Sequence, residues 1–449
     1  MDIRKVNPDT FVFTNYPTSY VNGLRRILLT ELPHIAFDPD PNSINTVVSH
    51  NSGILYNELI INRLALVPLN HIVPCTIKST WNTSKHIREY SFKYPDLVPI
   101  YTLDVINSEV TALISNDLSR YVTTDDFNYL GSIEQNNAFE KLNLPKESVN
   151  SIFALDKITN DPCLCTILQP SLSSIESIEK QRLAVQVQPI IGSGRDHSCF
   201  VQVGTTFMEF VQDPEMQEEA FLEKIRLVNL EMTAKGRKPL SENGIKSQKE
   251  EFKTIDSQRV YKKNKYGEPN EIQLTIECIN DTSPDQLLFD ASEWLRLSLL
   301  DLKHELKKKE NVPNMTFSLY PNMLRSINVV FNNQGHTVGN LLNSVLQNIF
   351  VDNRTRDSPL GKCIQFVSYR VPHPLYQKME LRIQFSQNVE LQSIYEQLVS
   401  KHSDSNGGNF SIIGLGKLVL QECISYIDTQ YISALQSALT ASNSSFTTQ

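Results

Sequence analysis

The fold of this chain is decided by residues 327–349, INVVFNNQGHTVGNLLNSVLQNI, in which the spacing of apolar residues changes once. From Ile327 to Phe331 an apolar residue stands at every second position, which is the period of a strand with one buried face. After Gly335 the spacing becomes helical, with apolar residues at Val338, Leu341, Leu342, Val345, Leu346 and Ile349. The stretch therefore predicts a strand followed by an amphipathic helix that begins near His336.

The two periods recur downstream of this stretch. Every second residue from Met379 to Phe385 is apolar, which predicts another strand. A final helix has one apolar face, formed by Leu420, Ile424, Ile427, Tyr431, Leu435 and Ala438. We therefore predict a sheet-and-two-helix unit over residues 322–441, followed by a disordered tail at 442–449.

The N-terminal part of the chain carries the same kinds of element, but they lie far apart in sequence. Residues 1–37 contain a short apolar strand and a helix that Pro33 ends. Residues 200–310 contain an alternating strand that ends at Cys278. A long helix follows, with an apolar stripe at Leu288, Ala291, Leu295, Leu299, Leu302 and Leu306. Residues 1–37 and 200–310 are therefore predicted to form one discontinuous unit.

Two further segments separate these elements. Residues 38–199 are rich in Pro, Asn, Asp and Ser and have short apolar runs, which predicts an inserted, loop-rich α+β domain. Residues 311–321 are predicted to be a linker. The fold class is therefore α+β, with two sheet-and-two-helix units. Their apolar helix faces are expected to pack on each other as an intramolecular heterodimer.

Bulk composition narrows the classes of function. The 449 residues carry a net charge of -8, which disfavours broad contact with nucleic acid because phosphate binding needs clustered Lys and Arg. We expect no signal peptide and no membrane contact. The seven scattered cysteines predict free thiols. The polar stretch 212–260, with a helix at 214–234 and the basic pieces 235–238 and 262–265 in or beside it, is interpreted as solvent-facing.

Several blocks of the first unit resemble the alpha-like subunits of cellular DNA-directed RNA polymerases. Residues 22–29, NGLRRILL, resemble the family's first helix, and residues 61–69, INRLALVPL, resemble its HRL-x-L-x-PL segment. Residues 192–197, GSGRDH, resemble its G-x-G-x-x-HA turn and are predicted to form a tight turn. In layout, residues 1–310 are similar to the third subunit of eukaryotic RNA polymerase II.

The second unit resembles the eleventh subunit of the same enzyme. Residues 336–340, HTVGN, resemble its HTLGN motif, and residues 369–375, YRVPHPL, resemble its GY-x-x-PHPL motif. Two alpha-like units in one chain are similar to the fused subunit that large cytoplasmic DNA viruses encode.

The resemblance implies a non-catalytic assembly platform of a DNA-directed RNA polymerase. Its partners would be the largest and second-largest polymerase subunits and small polymerase subunits, and the catalytic magnesium would belong to another subunit. A viral chain would act in the viral factory of the host cytoplasm and be present in the virion, whereas a cellular one would act in the nucleus. Many relatives carry a zinc loop of which only Cys75 is present here, so we expect no zinc and no other cofactor.

The candidate interface residues are Asn22, Arg25, Arg26, Arg63, His336, Asn340, Leu341, Val345 and His373. Arg25 and Arg26 could bind carboxylates of a larger subunit, or could simply lie on a solvated helix face. His336 and Asn340 stand one helical turn apart and are predicted to form a cap and a packing contact, because the sequence offers no third metal ligand beside them. His373, between two prolines, predicts a rigid turn that shapes an interface.

Two other classes of function remain open. One is an alpha-like protein-binding scaffold outside transcription, since fold alone does not fix function. The other is an enzyme with an unrecognised site, although the sequence contains no HExxH, no GxSxG and no polymerase aspartate triad. Co-purification with very large catalytic subunits would separate the polymerase subunit from both.

Overall fold

The computed structural model describes residues 1–82, 87–107, 119–131, 149, 151–170, 180–308, 314–320, 325–352, 354, 363–402 and 410–446. The chain forms two compact units. The first consists of Met1–Arg26, Thr205–Ile276 and Ala291–Gln449, and the second of Ile27–Gly204 and Glu277–Asp290.

Within the described residues the strands, in chain order, are β1 Asp2–Asn7, β2 Thr10–Thr14, β3 His34–Phe37, β4 Thr46–Asn51, β5 Ile77–Asn82, β6 Ile87–Phe92, β7 Tyr101–Ile106, β8 Arg120–Thr123, β9 Phe127–Tyr129, β10 Leu164–Leu168, β11 Arg182–Val187, β12 Pro189–Gly192, β13 Val203–Phe210, β14 Glu271–Cys278, β15 Met315–Leu319, β16 Ser326–Asn332, β17 Ile364–Arg370 and β18 Lys378–Phe385. The helices are α1 Thr18–Thr30, α2 Asn57–Ala65, α3 Pro214–Ala234, α4 Glu242–Glu251, α5 Pro284–Leu306, α6 His336–Leu346, α7 Leu391–Lys401, α8 Ile412–Tyr426 and α9 Ser433–Phe446.

The first half of the chain forms a four-stranded sheet in the order β1-β2-β14-β13. β2 pairs antiparallel with β1 on one side and with β14 on the other. In β14 every second side chain is buried, from Ile272 to Cys278, as its alternating sequence predicts. One face of this sheet is therefore apolar. Helix α1 follows β2 along the chain, and helix α5 follows β14.

The second half forms a sheet in the order β15-β16-β18-β17, with antiparallel pairing throughout. The alternating residues of β18 are buried from Met379 to Phe385, and Ile327, Val329 and Phe331 of β16 are buried as well. In each half the fourth strand lies between the second and the third. The two halves therefore share one sheet topology, and the α+β fold class predicted from sequence is confirmed.

The second compact unit contains a sheet in the order β4-β11-β7-β9 and three two-stranded sheets, β10-β8, β12-β3 and β5-β6. Its core is built around Phe37, Tyr101, Leu168 and Val187, each at most 1% exposed. Short strands joined by long connections match the predicted loop-rich α+β character. This unit extends beyond the predicted limits of 38–199 at both ends.

Part of the predicted linker is structured. β15 lies within residues 311–321 and pairs with β16, so that Met315 stands opposite Phe331. Met315 and Phe317 are buried, and this burial stabilises a strand that the short sequence did not reveal. Residues 311–313 and 321 of the predicted linker lie outside the described residues.

The C-terminal helix is longer than predicted. A π-helical turn at Ile427–Ile432 joins α8 to α9, and α9 continues to Phe446. Residues 442–446 are therefore helical, contrary to the predicted disordered tail, because Ser and Asn lower helix propensity by less than about 1 kcal/mol each and do not end an established helix. Residues 447–449 lie outside the described part of the chain.

No helix in the described ranges is both long enough and apolar enough to span a membrane.

Candidate functional site

Helices α1 and α6 lie side by side and run in opposite directions. Near one end of the contact, Ser19 Oγ and Ser344 Oγ are 2.5 Å apart. Near the other end, Arg26 Nε donates a hydrogen bond of 3.0 Å to Thr337 Oγ1. Gly23 lies between these contacts along α1, where an added Cβ would stand 3.8 Å from the Thr337 methyl group. The first helix of one half is thus tied to the first helix of the other.

The long helix α5 makes a second antiparallel contact, with α8 and α9. Lys303 Nζ donates to Ser425 Oγ at 2.8 Å, and Arg296 Nε lies 3.1 Å from Asp428 Oδ1. Farther along, Gln436 Nε2 donates to a carboxylate oxygen of Glu293 at 2.9 Å. The apolar stripes of these helices are buried, at Leu295, Leu299, Leu302, Leu306, Leu420, Ile424, Ile427 and Leu435. Polar contacts therefore fix the register of a largely apolar helix pair.

A cluster of tyrosines lies where the two halves meet. The rings of Tyr20 and Tyr431 are 5.4 Å apart, and Tyr16 stacks on Tyr20 at 5.6 Å. Burial raises the pKa of the Tyr20 hydroxyl well above its usual value, and the neighbouring Tyr16 and Tyr431 raise it further. These hydroxyls stay neutral at any physiological pH. Aromatic pairs of this geometry add about 0.5–1.5 kcal/mol beyond their area burial.

The start of α6 packs against β17. His336 Nδ1 lies 3.4 Å from the Tyr369 hydroxyl, and the two rings meet edge to face. A Cβ added at Gly339 would stand 2.7 Å from the Tyr369 ring, which is closer than real Cβ atoms approach. Gly339 is therefore required by this close approach. The sequence blocks 336–340 and 369–375 thus meet in space.

Two family profiles described as the RNA polymerase Rpb3/Rpb11 dimerisation domain match this chain, one over residues 10–299 and the other over residues 326–404. The chain belongs to the Rpb3/Rpb11 dimerisation-domain family. The first match covers most of the first half and the second covers most of the second half, so two domains of this family stand in one chain.

Curated relatives match over shorter stretches. The chain is 41% identical over 58 residues to the DNA-directed RNA polymerase subunit Rpo3 of Pyrobaculum aerophilum, which covers 13% of this chain and 20% of the relative. It is 30% identical over 109 residues to the Rpo3 subunit of Pyrobaculum neutrophilum, which covers 19% of this chain and 39% of the relative. The chain therefore spans about one fifth to two fifths of the length of these relatives.

Within this Rpb3/Rpb11-type fold, Leu341 and Val345 point into the core and are 0% exposed. They lie on α6 with the other members of the apolar stripe, which is buried as its spacing predicts. A fully buried pair of this kind cannot contact another protein directly. Their contribution is to hold α6 in place.

The two neighbouring arginines of α1 have different surroundings. Arg26 is bound to Thr337 of the second half, as described above. Arg25 is half-buried and donates from Nε to Asn22 Oδ1 one turn earlier at 2.9 Å, so Asn22 orients it. Arg25 is thus held against its own helix, whereas Arg26, the more exposed of the two, is a contact between the halves.

The structure corrects the predicted cap at His336. The residue before α6 is Gly335, and no side chain caps the helix. His336 is the first residue of α6 and contacts Tyr369 instead. Asn340, one turn later, makes no side-chain hydrogen bond to another described residue. The pair therefore shares a helix face without forming the predicted cap.

Arg63 and His373 belong to elements other than α1 and α6. Arg63, on α2, donates from Nη2 to the Leu164 carbonyl at 3.2 Å within the second compact unit. His373 stands in the exposed turn between β17 and β18, where its Nδ1 accepts a hydrogen bond from the Leu375 N–H at 3.2 Å. The turn also presents Leu375, 83% exposed, and Tyr376, 69% exposed. His373 thus stiffens a turn with an apolar tip.

The predicted tight turn at residues 192–197 is confirmed. The Ser193 N–H donates to Asp196 Oδ2 at 2.9 Å, and the Asp196 N–H donates to the Ser193 carbonyl. A Cβ at Gly194 would stand 2.1 Å from the Leu29 carbonyl oxygen, so only glycine fits there. Hydrogen bonds within the turn and this close packing account for the residues found there.

In the described ranges, no group of three or more His, Cys, Asp or Glu side chains is arranged to hold a metal ion. Burial raises the pKa of the Cys75 thiol to about 12, which disfavours the thiolate that zinc requires. The absence of zinc remains a prediction.

Sequence reasoning missed the polar contacts between the halves, of which two serve as examples. Arg354 donates from both terminal nitrogens to the Glu268 carboxylate, at 2.6 and 2.9 Å. Ser19 and Ser344 form the second contact. Neither pair has a sequence signature, because the partners stand 86 and 325 positions apart. Covariation between homologues is the signal that could have found them.

Proposed function

We propose that this chain is an assembly subunit of a DNA-directed RNA polymerase, with both members of an alpha-like pair in one polypeptide. The observation that carries the proposal is the pair of Rpb3/Rpb11 dimerisation-domain matches, joined by the antiparallel contacts of α1 with α6 and of α5 with α8 and α9. The Rpo3 identities of the curated relatives support the same assignment.

The finer proposal concerns partners and chemistry. The platform docks the two largest subunits and small polymerase subunits, and the catalytic magnesium belongs to another subunit. We assign docking to Arg25, which has no carboxylate partner among the described residues, and to the turn around His373, which exposes Leu375 and Tyr376. A fused pair further supports a chain encoded by a large DNA virus, acting in the host cytoplasm and packaged in the virion.

Purification of the tagged chain from its native source tests the assignment. Recovery of two very large chains together with template-dependent RNA synthesis is expected. A scaffold that acts outside transcription would bring down neither. An isolated chain that turns over a substrate by itself would favour an enzyme.

A single substitution tests the docking surface. Arg25→Glu is expected to weaken recovery of the large chains about tenfold, because it reverses a charge at a partly desolvated contact. Arg237→Glu, an exposed position in the connection between α3 and α4, is the matched control. Equal recovery with both variants would remove Arg25 from the interface.

Separation of the halves tests the internal pairing. Residues 1–314 and 315–449, co-expressed as two chains, are expected to elute together in gel filtration because the helix contacts do not depend on the connection. Two folded halves that elute apart would contradict it.

Elemental analysis tests the cofactor proposal, for which about one zinc per chain would be the contrary result.

A further inference from the structure

A polar cleft of about 840 Å³ lies in the first compact unit, and neither Arg25 nor His373 lines it. Three stretches contribute its lining: residues 15–19 before and within α1, residues 263–270 before β14, and residues 340–349 on and after α6 together with Arg354. Tyr426 and Tyr431 close one wall. Its volume is in the range of about 300–1,000 Å³ that is typical of ligand-binding clefts.

One wall is a rigid basic turn. Asn264 Oδ1 accepts hydrogen bonds from the backbone N–H groups of Tyr266 and Glu268, at 2.8 and 3.1 Å. Gly267 takes the left-handed conformation that the turn requires, with φ of 80°. Arg354 then fixes the turn from the other half through its bidentate bond to Glu268. The wall is thus positioned before any ligand arrives.

This turn carries uncompensated positive charge. Lys263, Lys265 and Arg354 line the cleft, and its one carboxylate, Glu268, is already bound to Arg354. Lys263 and Lys265 are exposed, and neither has an ion-pair partner in the described part of the chain. The two lysine ammonium groups therefore have no carboxylate partner among the described residues and lie over the rings of Tyr261 and Tyr266 instead.

The opposite wall is a row of carboxamides on and after α6. Asn340 lines the cleft from α6, and Gln347 and Asn348 line it from the π-helical turn that follows α6. A carboxamide can donate and accept hydrogen bonds at once, which matches the alternating N–H and C=O groups of an extended peptide. Gln347 Nε2 already donates to Asp352 Oδ1 at 3.1 Å. Asn340 makes no side-chain hydrogen bond to another described residue, so its amide is available.

The aromatic groups argue against single-stranded nucleic acid as the occupant. Base stacking needs free aromatic faces. The Tyr266 ring has Lys265 Nζ over it at 4.9 Å and the Arg354 guanidinium at 4.4 Å, and Tyr431 is packed against other tyrosines. The chain as a whole is also acidic, with a net charge of -8. The lysines that line the cleft are concentrated on one turn and do not follow a groove.

We propose that this cleft binds an extended, acidic polypeptide segment of a partner protein. Lys263 and Lys265 bind its carboxylates, and the carboxamides of α6 bind its backbone. The inference rests on the cleft alone and does not depend on the polymerase assignment.

Fluorescence anisotropy with a fluorescein-labelled deca-glutamate peptide and the full chain tests the proposal. The double variant Lys263→Glu, Lys265→Glu is expected to weaken binding about tenfold at about 50 mM salt, and less at about 200 mM, since exposed charges are screened. The double variant Arg237→Glu, Lys238→Glu changes the charge equally at exposed positions outside the cleft. It is expected to change affinity by less than about twofold.

Three results would overturn the proposal. Equal weakening by both double variants would mean that the peptide responds only to net charge. Tighter binding of a labelled oligothymidylate of the same length, lost in the Lys263→Glu, Lys265→Glu variant, would identify a nucleic-acid site instead. Asn340→Leu removes a carboxamide without changing charge and is expected to weaken the peptide about threefold. Unchanged affinity in this variant would exclude the α6 wall.

Discussion

The two halves of this molecule have the same sheet topology and differ in what interrupts it. In the second half the chain passes from α6 to β17 within residues 347–363, whereas in the first half 172 residues separate the end of α1 at Thr30 from the start of β13 at Val203. Between the third and fourth strands, the first half carries the helices α3 and α4 and the second half only the turn that contains His373.

The comparison shows which parts of the fold are essential. The strand order and the helices that contact each other are kept in both halves, while the connections at one edge accept a helical hairpin or a whole compact unit. Domain insertion of this kind is tolerated where the entry and exit points lie at the surface of a structure that is already complete. The contacts between the halves are therefore the part of the molecule on which the rest depends.

The chain has two tryptophans, and one lies in each compact unit. Trp81 belongs to the second unit and Trp294, on α5, to the first. Trp81→Phe and Trp294→Phe variants therefore allow urea unfolding of each unit to be followed by fluorescence separately. Trp294 alone then reports on the first compact unit and Trp81 alone on the second.

The largest loss of stability is expected from Leu341→Asp combined with Val345→Asp. This double variant would remove α6, the first helix of the second half. Both positions are fully buried, and each unpaired charge costs several kcal/mol, so the sum approaches the whole stability of about 5–15 kcal/mol. Trp294 fluorescence should show no cooperative transition. Leu222→Asp with Leu227→Asp, 60% and 53% exposed, is the control and should unfold normally.

Acid is expected to destabilise the inserted unit more than the two halves. Burial lowers the pKa of His34 to about 4, against a hydrogen bond to the Leu69 backbone that raises it. The unfolded chain therefore takes up a proton below about pH 6.5 that the folded unit refuses until about pH 4, so stability falls across this window as the pH drops. The shift corresponds to roughly 3 kcal/mol.

The measurement is urea unfolding followed by Trp81 at about pH 7 and about pH 4.5. His34→Gln does not titrate and should lose markedly less stability than the native chain over this interval. Equal losses in both proteins would mean that other groups control the acid response.

The first helix of each half contains one glycine, and the two positions differ in the space available for a side chain. Gly339→Ala forces a Cβ against the Tyr369 ring and is expected to cost about 1–3 kcal/mol through overpacking. Gly23→Ala has room beside Thr337 and is expected to be neutral or to stabilise by up to about 1 kcal/mol, because Ala favours a helix. Trp294-monitored unfolding compares them, and Tyr369→Leu should rescue Gly339→Ala. Equal costs at the two glycines would contradict the close packing at Gly339.

The smallest effect is expected at the ion pair between the halves. The Arg354 hydrogen bonds lower the pKa of Glu268, so the pair stabilises the fold above the usual glutamate range and this contribution is lost as the pH falls through the lowered pKa. Glu268 is half exposed, so Glu268→Gln should cost less than about 1 kcal/mol at pH 7.

The matched control for this pair is Glu223→Gln, whose partner Arg226 lies on the same helix. It should not alter the association of the co-expressed halves, whereas Glu268→Gln should weaken it slightly. A difference between Glu268→Gln and the native chain that persisted at acid pH would show that the charge is not its cause.

The sequence predicted most of what depends on a single buried face. β14, β16 and β18 and the stripes of α5 and α6 were found because alternation and helical spacing follow directly from one-sided burial. Helix α7 was missed although its buried residues, Leu391, Ile394 and Leu398, stand at helical spacing. That signal was present but short.

Other features could not be read from one sequence. β15 has only two buried side chains, and most strands of the second compact unit are short and partly exposed, so periodicity cannot define them. The pairing of Arg26 with Thr337 depends on where α6 lies, which no local pattern records. The prediction that His336 caps α6 was wrong, because the N-cap residue is Gly335 and the His336 imidazole contacts Tyr369 instead.

The continuity of the chain from α5 into β15 has a consequence for how the pair is made. Partners encoded separately must be synthesised in balanced amounts and come apart on dilution. Here both partners are translated as one polypeptide, so they are made in a one-to-one ratio. The melting temperature should therefore not vary with protein concentration, as it does for an obligate dimer. The attached partner also competes with any second copy of the same half at a high effective concentration, so the fusion disfavours the wrong dimer.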